Sequence, residues 1–196
     1  MNANELALFP LNTVLFPGGS LSLRIFETRY LDLIRDCGRH GTGFGVCLIL
    51  DGREAGEPAT PAALGCEARI ADFSTTPEGL LAITVTGTRR FHVERVRVRD
   101  NGLIVGQVRW FDDPAMAPLR PEYQLLSTLL ERVLERAGPP HDRVERACFQ
   151  DAAWVAWRLA EWLPMTNDER QRMLEAHDPC LRLQLLIDRL PDFQQA

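Results

Sequence analysis

The stretch LFPLNTVLFPGGSLSLRIFETRY, residues 8–30, decides how the start of the chain folds. Two Phe-Pro pairs, Phe9-Pro10 and Phe16-Pro17, favour extended backbone at each phenylalanine, because a proline ring disfavours helical backbone in the residue before it. Gly18-Gly19 permits a turn that other residues would adopt only with strain. The pattern therefore predicts a strand, a kinked loop and a second strand.

The spacing of apolar residues changes within the same stretch. From Ser20 to Ile25 apolar and polar residues alternate, which predicts a strand with one buried face. After Glu27 the apolar residues recur at helical spacing, which predicts a helix. The buried face of this helix would carry Tyr30, Leu31, Ile34 and Cys37.

The order of strand, Phe-Pro-Gly loop, apolar strand and helix resembles the opening of the N-terminal, substrate-recognition domain of the Lon protease family. The resemblance continues through the strand at 43–50 and the segment at 87–93. It implies an α+β fold in which an antiparallel, PUA-like β-barrel domain is followed by a C-terminal helical bundle. It also implies a non-catalytic recognition module that binds unfolded or damaged polypeptide or a protein partner.

All 22 basic residues are arginine, and this composition excludes several classes of enzyme. A phosphate-binding P-loop needs a lysine that reaches the terminal phosphates. A Ser-Lys dyad needs lysine as its base, and Schiff-base chemistry needs lysine as its nucleophile. The sequence therefore predicts neither an ATPase of the P-loop class nor the proteolytic chemistry of the Lon family.

Cysteine and histidine form no strong catalytic or metal-binding pattern. Cys37 and His40 are three residues apart, whereas the nucleophile and base of a hydrolase normally come from distant segments. The five cysteines have scattered spacings, and the four histidines lack a partner at metal-ligand spacing. We therefore predict no catalytic residue, no metal, no cofactor and no disulfide framework.

Length and hydropathy predict a globular protein of the cytoplasm that does not enter a membrane. The 196 residues, 45% of them hydrophobic, suffice for a core of one large or two small domains. No apolar run approaches the ~20 residues that a membrane span needs. No basic residue precedes Arg24, so we expect no signal peptide.

Strand patterns fill the first part of the chain, and we predict a β-rich domain over residues 1–117. Strands are predicted at 44–50, 64–73, 81–86 and 103–110. Asn101-Gly102 is a hairpin turn signal before the last of these. Between 91 and 98 the apolar residues change face, which predicts a β-bulge near Glu94-Arg95 that lets the sheet curl toward a barrel.

Helical spacing continues to the end of the chain, and we predict a helical domain over residues 118–196. Helix starts are predicted by capping pairs at Asp142 with Glu145, at Thr166 with Glu169, and at Asp178 with Pro179. The apolar stripes of these segments predict a bundle of about three or four helices.

Capture of unfolded polypeptide needs an exposed apolar surface, because exposed apolar segments distinguish an unfolded client from a folded protein. The predicted peptide-binding or partner-binding residues lie in the Phe-Pro-Gly loop and at the start of the next helix: Val14, Leu15, Phe16, Pro17, Phe26 and Tyr30. Most large apolar residues of a domain this size are buried, so the sequence leaves open that these six belong to the core. Trp154 and Trp157, which adjoin on a helix surface, either pack on the β-rich part or bind a partner.

The segment 89–109 supports an alternative function, RNA binding, because some PUA-like folds bind RNA. It contains six arginines and two acidic residues. The whole chain has a net charge of -5, however, and these arginines lack interleaved exposed aromatic residues that would stack on bases. A charged strand face that discourages pairing with other chains is the better explanation.

Overall fold

The computed structural model describes residues 4–113 and 116–193. The chain divides into two units, Met1–Asp112 and Asp113–Ala196. The first unit contains strands and one helix, and the second contains helices. The predicted α+β class is confirmed.

The first unit contains β1 (Glu5–Leu11), β2 (Ser20–Ile25), α1 (Thr28–His40), β3 (Phe44–Asp51), β4 (Thr60–Thr75), β5 (Leu81–Val98) and β6 (Ile104–Trp110). The strand order is β2-β5-β4-β3-β1-β6, and β5 also pairs with β6. Five strands are therefore joined in a closed circuit of pairings. Among the described residues β2 pairs with β5 alone.

The prediction of an antiparallel sheet is wrong for one pair of strands, because β1 and β3 are parallel. Parallel neighbours need a crossover connection, which a tight turn cannot provide. Here β2 and α1 together form that crossover. The other pairings of the sheet are antiparallel.

Strand β5 changes partners along its length. Its first part, from Leu81 to Thr86, lies between β2 and β4, and its last part pairs with β6. The register with β6 shifts between Val93 and Arg95, so the predicted bulge is confirmed. The bulge bends β5 where it leaves β4 and joins β6.

The Phe-Pro-Gly-Gly segment forms a type II turn that leads into a G1 bulge. The amide of Gly19 donates to the carbonyl of Phe16 at 2.9 Å, and Gly18 has a φ of 72°, which the third position of a type II turn requires. Gly18 donates to the carbonyl of Gly87, and Gly87 donates to the carbonyl of Gly19, both at 2.8 Å. These two bonds fasten the loop to the middle of β5.

The core of the first unit packs α1 against the sheet. Phe9 stacks on Tyr30 with ring centroids 3.9 Å apart, and Phe9 also contacts the ring of Phe44. Leu33 and Ile34 extend the same cluster along α1. The helix ends at Gly41, whose φ of 61° is the left-handed conformation that glycine adopts without strain.

The second unit contains α2 (Gln124–Ala137), α3 (Ala152–Trp162), α4 (Asn167–Glu175) and α5 (Pro179–Phe193). Short 3-10 helices lie at Pro121–Tyr123 and Arg146–Gln150. Helix α3 contacts each of the other three helices. Its apolar face, which includes Val155 and Leu159, is fully buried.

The capping pairs of the second unit have different outcomes. Thr166 and Glu169 form a complete capping box at the start of α4, as predicted. The prediction of a capping box at Asp142 and Glu145 is wrong, because α3 begins only at Ala152. The Asp151 side chain accepts the amide of Ala153 and so caps α3. Both aspartates fit an N-cap by residue type, and tertiary packing selects the second.

The carbonyl group of Phe16 lies close to the main chain of β5 at Gly87. A Cβ atom at Gly87 would overlap the carbonyl oxygen of Phe16, so we expect Gly87→Ala to lower the free energy of unfolding by about 2–3 kcal/mol. Gly38 is the matched control, because it lies inside α1 and an added Cβ meets only Phe73 at 3.6 Å. Gly38→Ala should raise the free energy of unfolding by about 0.5–1 kcal/mol. Urea denaturation measures the free energy of unfolding of both variants. Equal effects of the two substitutions would contradict the close contact between Gly87 and Phe16.

Glu161, near the end of α3, is a half-buried carboxyl group that pairs with Arg158 at 3.1 Å. Burial raises its pKa from 4.5 to about 7, although Arg158 and Arg170 act in the opposite direction. Between pH 4.5 and about pH 7, the folded chain keeps a proton on Glu161 that the unfolded chain has released. The free energy of unfolding therefore falls across this pH range as the pH rises.

Glu161→Gln should remove this contribution, because glutamine has a similar shape and does not ionise. We expect the stability of the variant, relative to the parent, to rise by roughly 1–3 kcal/mol between pH 4 and pH 8. Denaturation at a series of pH values gives this difference. A difference that stays constant with pH would show that Glu161 has the same pKa in the folded and the unfolded chain.

Candidate functional site

The six residues predicted to bind polypeptide differ in their exposure to solvent. Val14, Leu15, Phe16 and Tyr30 are buried, Pro17 is half-buried, and Phe26 is exposed. Phe16 is 0% exposed and Phe26 is 59% exposed. For the four buried residues the structure shows the second alternative left open by the sequence, which is that they belong to the core.

The burial of Phe16 has a direct backbone cause. The type II turn and the two hydrogen bonds to Gly87 hold the loop against β5, so the ring of Phe16 points into the protein. The loop therefore presents no exposed phenylalanine. Of the six predicted residues, Phe26 alone has a largely exposed side chain.

A groove with a volume of about 360 Å³ lies beside β2, and we call it the edge groove. Its lining contains Phe9, Leu11, Thr13, the β2 residues 21–25, Phe26, Glu27, Tyr30 and Glu54. Side chains of a strand point alternately to opposite faces. A groove lined by five consecutive residues of one strand therefore runs along the edge of that strand.

The free edge of β2 carries unpaired main-chain groups. The carbonyl of Gly19 points toward β5, where it accepts the amide of Gly87. Main-chain groups alternate between the two edges of an antiparallel strand, so Ser22 and Arg24 direct their amides and carbonyls away from β5. Both residues have exposed side chains. These groups can accept a further extended chain.

The floor and the rim of the edge groove are apolar. The stacked rings of Phe9 and Tyr30 and the side chain of Leu11 are buried at the floor. Burial also raises the pKa of the Tyr30 phenol, so the ring stays neutral. Phe26 and the half-buried Leu21 lie at the rim.

The two carboxylates of the edge groove are occupied by donors of the same chain. Glu54 accepts the amide of Asn12 at 2.6 Å. Glu27 accepts the amide of Gly56 at 3.3 Å and forms an ion pair with Arg29 at 2.9 Å. The chemistry left for a ligand is therefore apolar contact, main-chain hydrogen bonding and the exposed side chains of Ser22 and Arg24.

Cys37 and His40 do not form a nucleophile and base. The Cys37 thiol is buried 3.6 Å from the carbonyl of Gly43, and burial raises its pKa. His40 is exposed, and its Nδ1 lies 2.8 Å from the carbonyl of Asp36. Within residues 4–113 and 116–193, no group of three or more potential ligands is placed to bind a metal.

Trp154 and Trp157 of α3 pack within the second unit. Trp157 is buried, and the guanidinium of Arg182 lies 3.8 Å from the centre of its ring. Trp154 makes an edge-to-face contact with Phe149. These contacts of both residues are with their own unit, which differs from the predicted packing on the β-rich part. No helix in the described part of the chain is long and apolar enough to cross a membrane.

Comparison with known proteins identifies the family. Residues 5–192 match the family described as the ATP-dependent protease La (LON) substrate-binding domain. The chain belongs to this family. The resemblance predicted from residues 8–30 is therefore confirmed, and the Lon substrate-binding match extends through both units.

Two solved structures are similar to this Lon-type chain. One is the Lon N-terminal domain protein from Xanthomonas campestris, which has 49% sequence identity and a TM-score of 0.79. The match covers 94% of this chain and 97% of that chain. The other is the N-terminal domain of the Mycobacterium avium complex Lon protease, with 18% identity, a TM-score of 0.65 and coverage of 94% and 96%. The second comparison shows a shared fold.

Sequence reasoning missed most of the edge groove. The alternation from Leu21 to Ile25 correctly predicts a strand, but it does not say that one edge of the strand stays open. Leu11 and Glu54 come from segments distant in sequence from Phe26. The available signals were Phe26, a large apolar residue placed between a strand and a helix, and Tyr30 on the first turn of that helix.

A pair of variants tests the burial of the two phenylalanines. Phe16→Ser should lower the free energy of unfolding by about 3–5 kcal/mol, because it removes a fully buried ring. Phe26→Ser should change it by less than about 0.5 kcal/mol, because its ring is largely exposed. Urea denaturation of both variants measures the difference. A stable Phe16 variant would contradict the placement of the loop.

Proposed function

We propose that this protein is a non-catalytic recognition module that binds unfolded or damaged polypeptide in the edge groove. An extended segment of the client adds as a strand along the free edge of β2, and its apolar side chains contact Phe26, Leu21 and the groove floor. The observation that carries this proposal is the coincidence of an open strand edge with an apolar groove. Main-chain pairing gives affinity for any extended sequence, and the groove adds a preference for apolar residues.

The family supports the same class of ligand. The matched family is a substrate-binding domain of a protease, and the substrates of a protease are polypeptides. We also propose that the β-rich part over residues 1–117 is the PUA-like recognition domain and that residues 118–196 are a helical bundle. The closed circuit of strand pairings agrees with the first description, and the edge groove lies within that part.

A second open strand edge has a different character. The segment of β5 from Arg95 to Val98 pairs with β6 and extends beyond the pairing with β4. It carries exposed arginine side chains at Arg95 and Arg97, which alternate with the exposed Val96 and Val98. Charged side chains on an edge discourage pairing with another chain. The edge of β2, which exposes Ser20 and Ser22, lacks this protection at its start.

RNA binding has less support from the same arginines. Arg90 is buried at 1% exposure, and Arg97 forms an ion pair with Glu5. Arg89 is held by Glu67 and lies over the ring of Trp110. The segment 89–109 therefore does not present an even row of free arginines to a phosphate backbone.

A binding assay with two phenylalanine variants tests the proposal. A reduced and alkylated, fluorescently labelled unfolded protein serves as the client, and anisotropy measures its dissociation constant. Phe26→Ser should weaken binding by about tenfold, the effect of about 1.4 kcal/mol of lost apolar contact. Phe73→Ser is the control, because Phe73 is 52% exposed in the same unit and does not line the groove. It should leave binding unchanged.

Two variants of Ser22 test the main-chain part in the same assay. Ser22→Pro removes the outward amide, and Ser22→Ala keeps it. We expect only the proline variant to lose affinity, provided that circular dichroism shows both to be folded. Equal binding by all variants, or tight binding of RNA with none of the unfolded protein, would refute the proposal.

A further inference from the structure

A second cleft of the first unit, with a volume of about 560 Å³, is lined mainly by charged residues. It lies along α1 and has buried apolar residues at its base, including Leu33 and Leu103. We call it the arginine cleft, after Arg29, Arg35, Arg39, Arg69, Arg89 and Arg99. Four acidic residues also line it, so the cleft has an excess of two positive charges.

A buried carboxylate organises two of these arginines. The Glu67 side chain is 5% exposed, and one of its oxygens pairs with Arg69 at 2.9 Å. The other oxygen accepts Thr88 at 2.8 Å and lies 3.4 Å from Nε of Arg89. Arg69 also donates to the carbonyl of Gly41 at 2.6 Å. Both guanidinium groups are therefore fixed before any ligand arrives.

The fixed guanidinium groups keep part of their surface open to solvent. The side chains of Arg69 and Arg89 are 44% and 54% exposed. The contact of Arg89 with Glu67 uses Nε, and its guanidinium lies 4.1 Å from the ring centre of Trp110. An arginine has five N–H donors, so donors on the terminal nitrogens of Arg89 remain for a ligand.

Three further arginines have unused binding capacity. Arg29 is 7% exposed, and its Nε is buried without a hydrogen-bond partner among the described residues. Its other nitrogens bind the carbonyl of Gly102 at 3.0 Å and Glu27 at 2.9 Å. In residues 4–113 and 116–193, Arg39 and Arg99 form no ion pair within 4.0 Å with a carboxylate.

The charges of the arginine cleft favour a small anion over a polyanion. Glu5, Asp32, Asp36 and Glu67 line the cleft together with the arginines. Closely spaced phosphates would meet these carboxylates as well as the guanidinium groups, whereas one or two carboxylates can pair with the arginines alone. The net charge of -5 on the whole chain adds to the repulsion of a nucleic acid.

The arginine cleft and the edge groove adjoin the same turn of α1. Glu27 lines the edge groove and Arg29 lines the arginine cleft, and the two side chains form an ion pair. Tyr30, the next residue, lies at the floor of the edge groove. The Glu27–Arg29 ion pair therefore links the linings of the two sites at the start of α1.

We infer that the arginine cleft binds carboxylate groups of the polypeptide whose apolar part occupies the edge groove. The carboxylates come either from acidic side chains that flank the apolar part or from the end of the chain. This inference rests on the proposed function and adds to it a preference for clients that carry a carboxylate next to an apolar segment.

Three labelled peptides with a common apolar, extended core test the inference. The first is neutral with an amidated end, the second adds glutamates and is also amidated, and the third is neutral with a free carboxylate end. Anisotropy at low salt should show about tenfold tighter binding for the second or the third peptide than for the first. The peptide that gains affinity identifies the source of the carboxylate. High salt should reduce this advantage.

Charge-reversal variants locate the effect. Arg39→Glu combined with Arg99→Glu should abolish the preference and leave the neutral peptide bound as before. Arg39→Gln combined with Arg99→Gln should reduce the preference to a smaller extent. It replaces the first variant if that variant does not fold. Arg132→Glu with Arg143→Glu is the control, because it changes the net charge equally at exposed residues outside the cleft. The control should keep the preference.

The outcomes separate this inference from the proposed function. If no peptide binds, the proposed function fails. If all three peptides bind equally, or if the preference survives both cleft variants, the inference alone is overturned. Phe26→Ser should weaken the binding of all three peptides and leave the ratio of their dissociation constants unchanged. A single-stranded RNA that binds more tightly than the acidic peptide, and is released by the cleft variants, would overturn the inference by assigning the cleft to phosphate.

Discussion

The hydrogen bonds between the Gly18-Gly19 turn and Gly87 are the constraint on which the first unit depends. They fix where the loop after β1 meets β5, and they leave no room for a side chain at Gly87. The turn buries the Phe16 ring and starts β2 in register with β5. The same contact therefore sets both the core and the position of the strand that borders the edge groove.

The pairing of β5 explains why β2 has an open edge. β5 is long enough to pair with β2, β4 and β6, and its bulge between Val93 and Arg95 turns it from one neighbour to another. The circuit of the other five strands closes without β2. One side of β2 is thus left to the groove, with Phe26 at its end. The open edge follows from how the sheet closes.

Several local features are predicted correctly because they depend on neighbouring residues, although the capping pair at Asp142 and Glu145 is not one of them. The turn at Gly18-Gly19, the bulge near Arg95 and the capping box at Thr166 are each set by a few adjacent side chains. The parallel pairing of β1 and β3 depends on a crossover of many residues, and a local pattern does not encode it. For the candidate site, the sequence supplied Phe26 and Tyr30, but the burial of Phe16 required the contact with β5.

Amide hydrogen exchange of the intact protein, with and without a bound, reduced and alkylated client, reports directly on whether the free edge of β2 binds polypeptide. We expect slower exchange in the segment 20–26, because the outward amides of Ser22 and Arg24 become hydrogen-bonded to the client. The charged edge of β5 from Arg95 to Val98 should exchange as before. Bound client with unchanged exchange in 20–26, or protection confined to the β5 edge, would contradict the account.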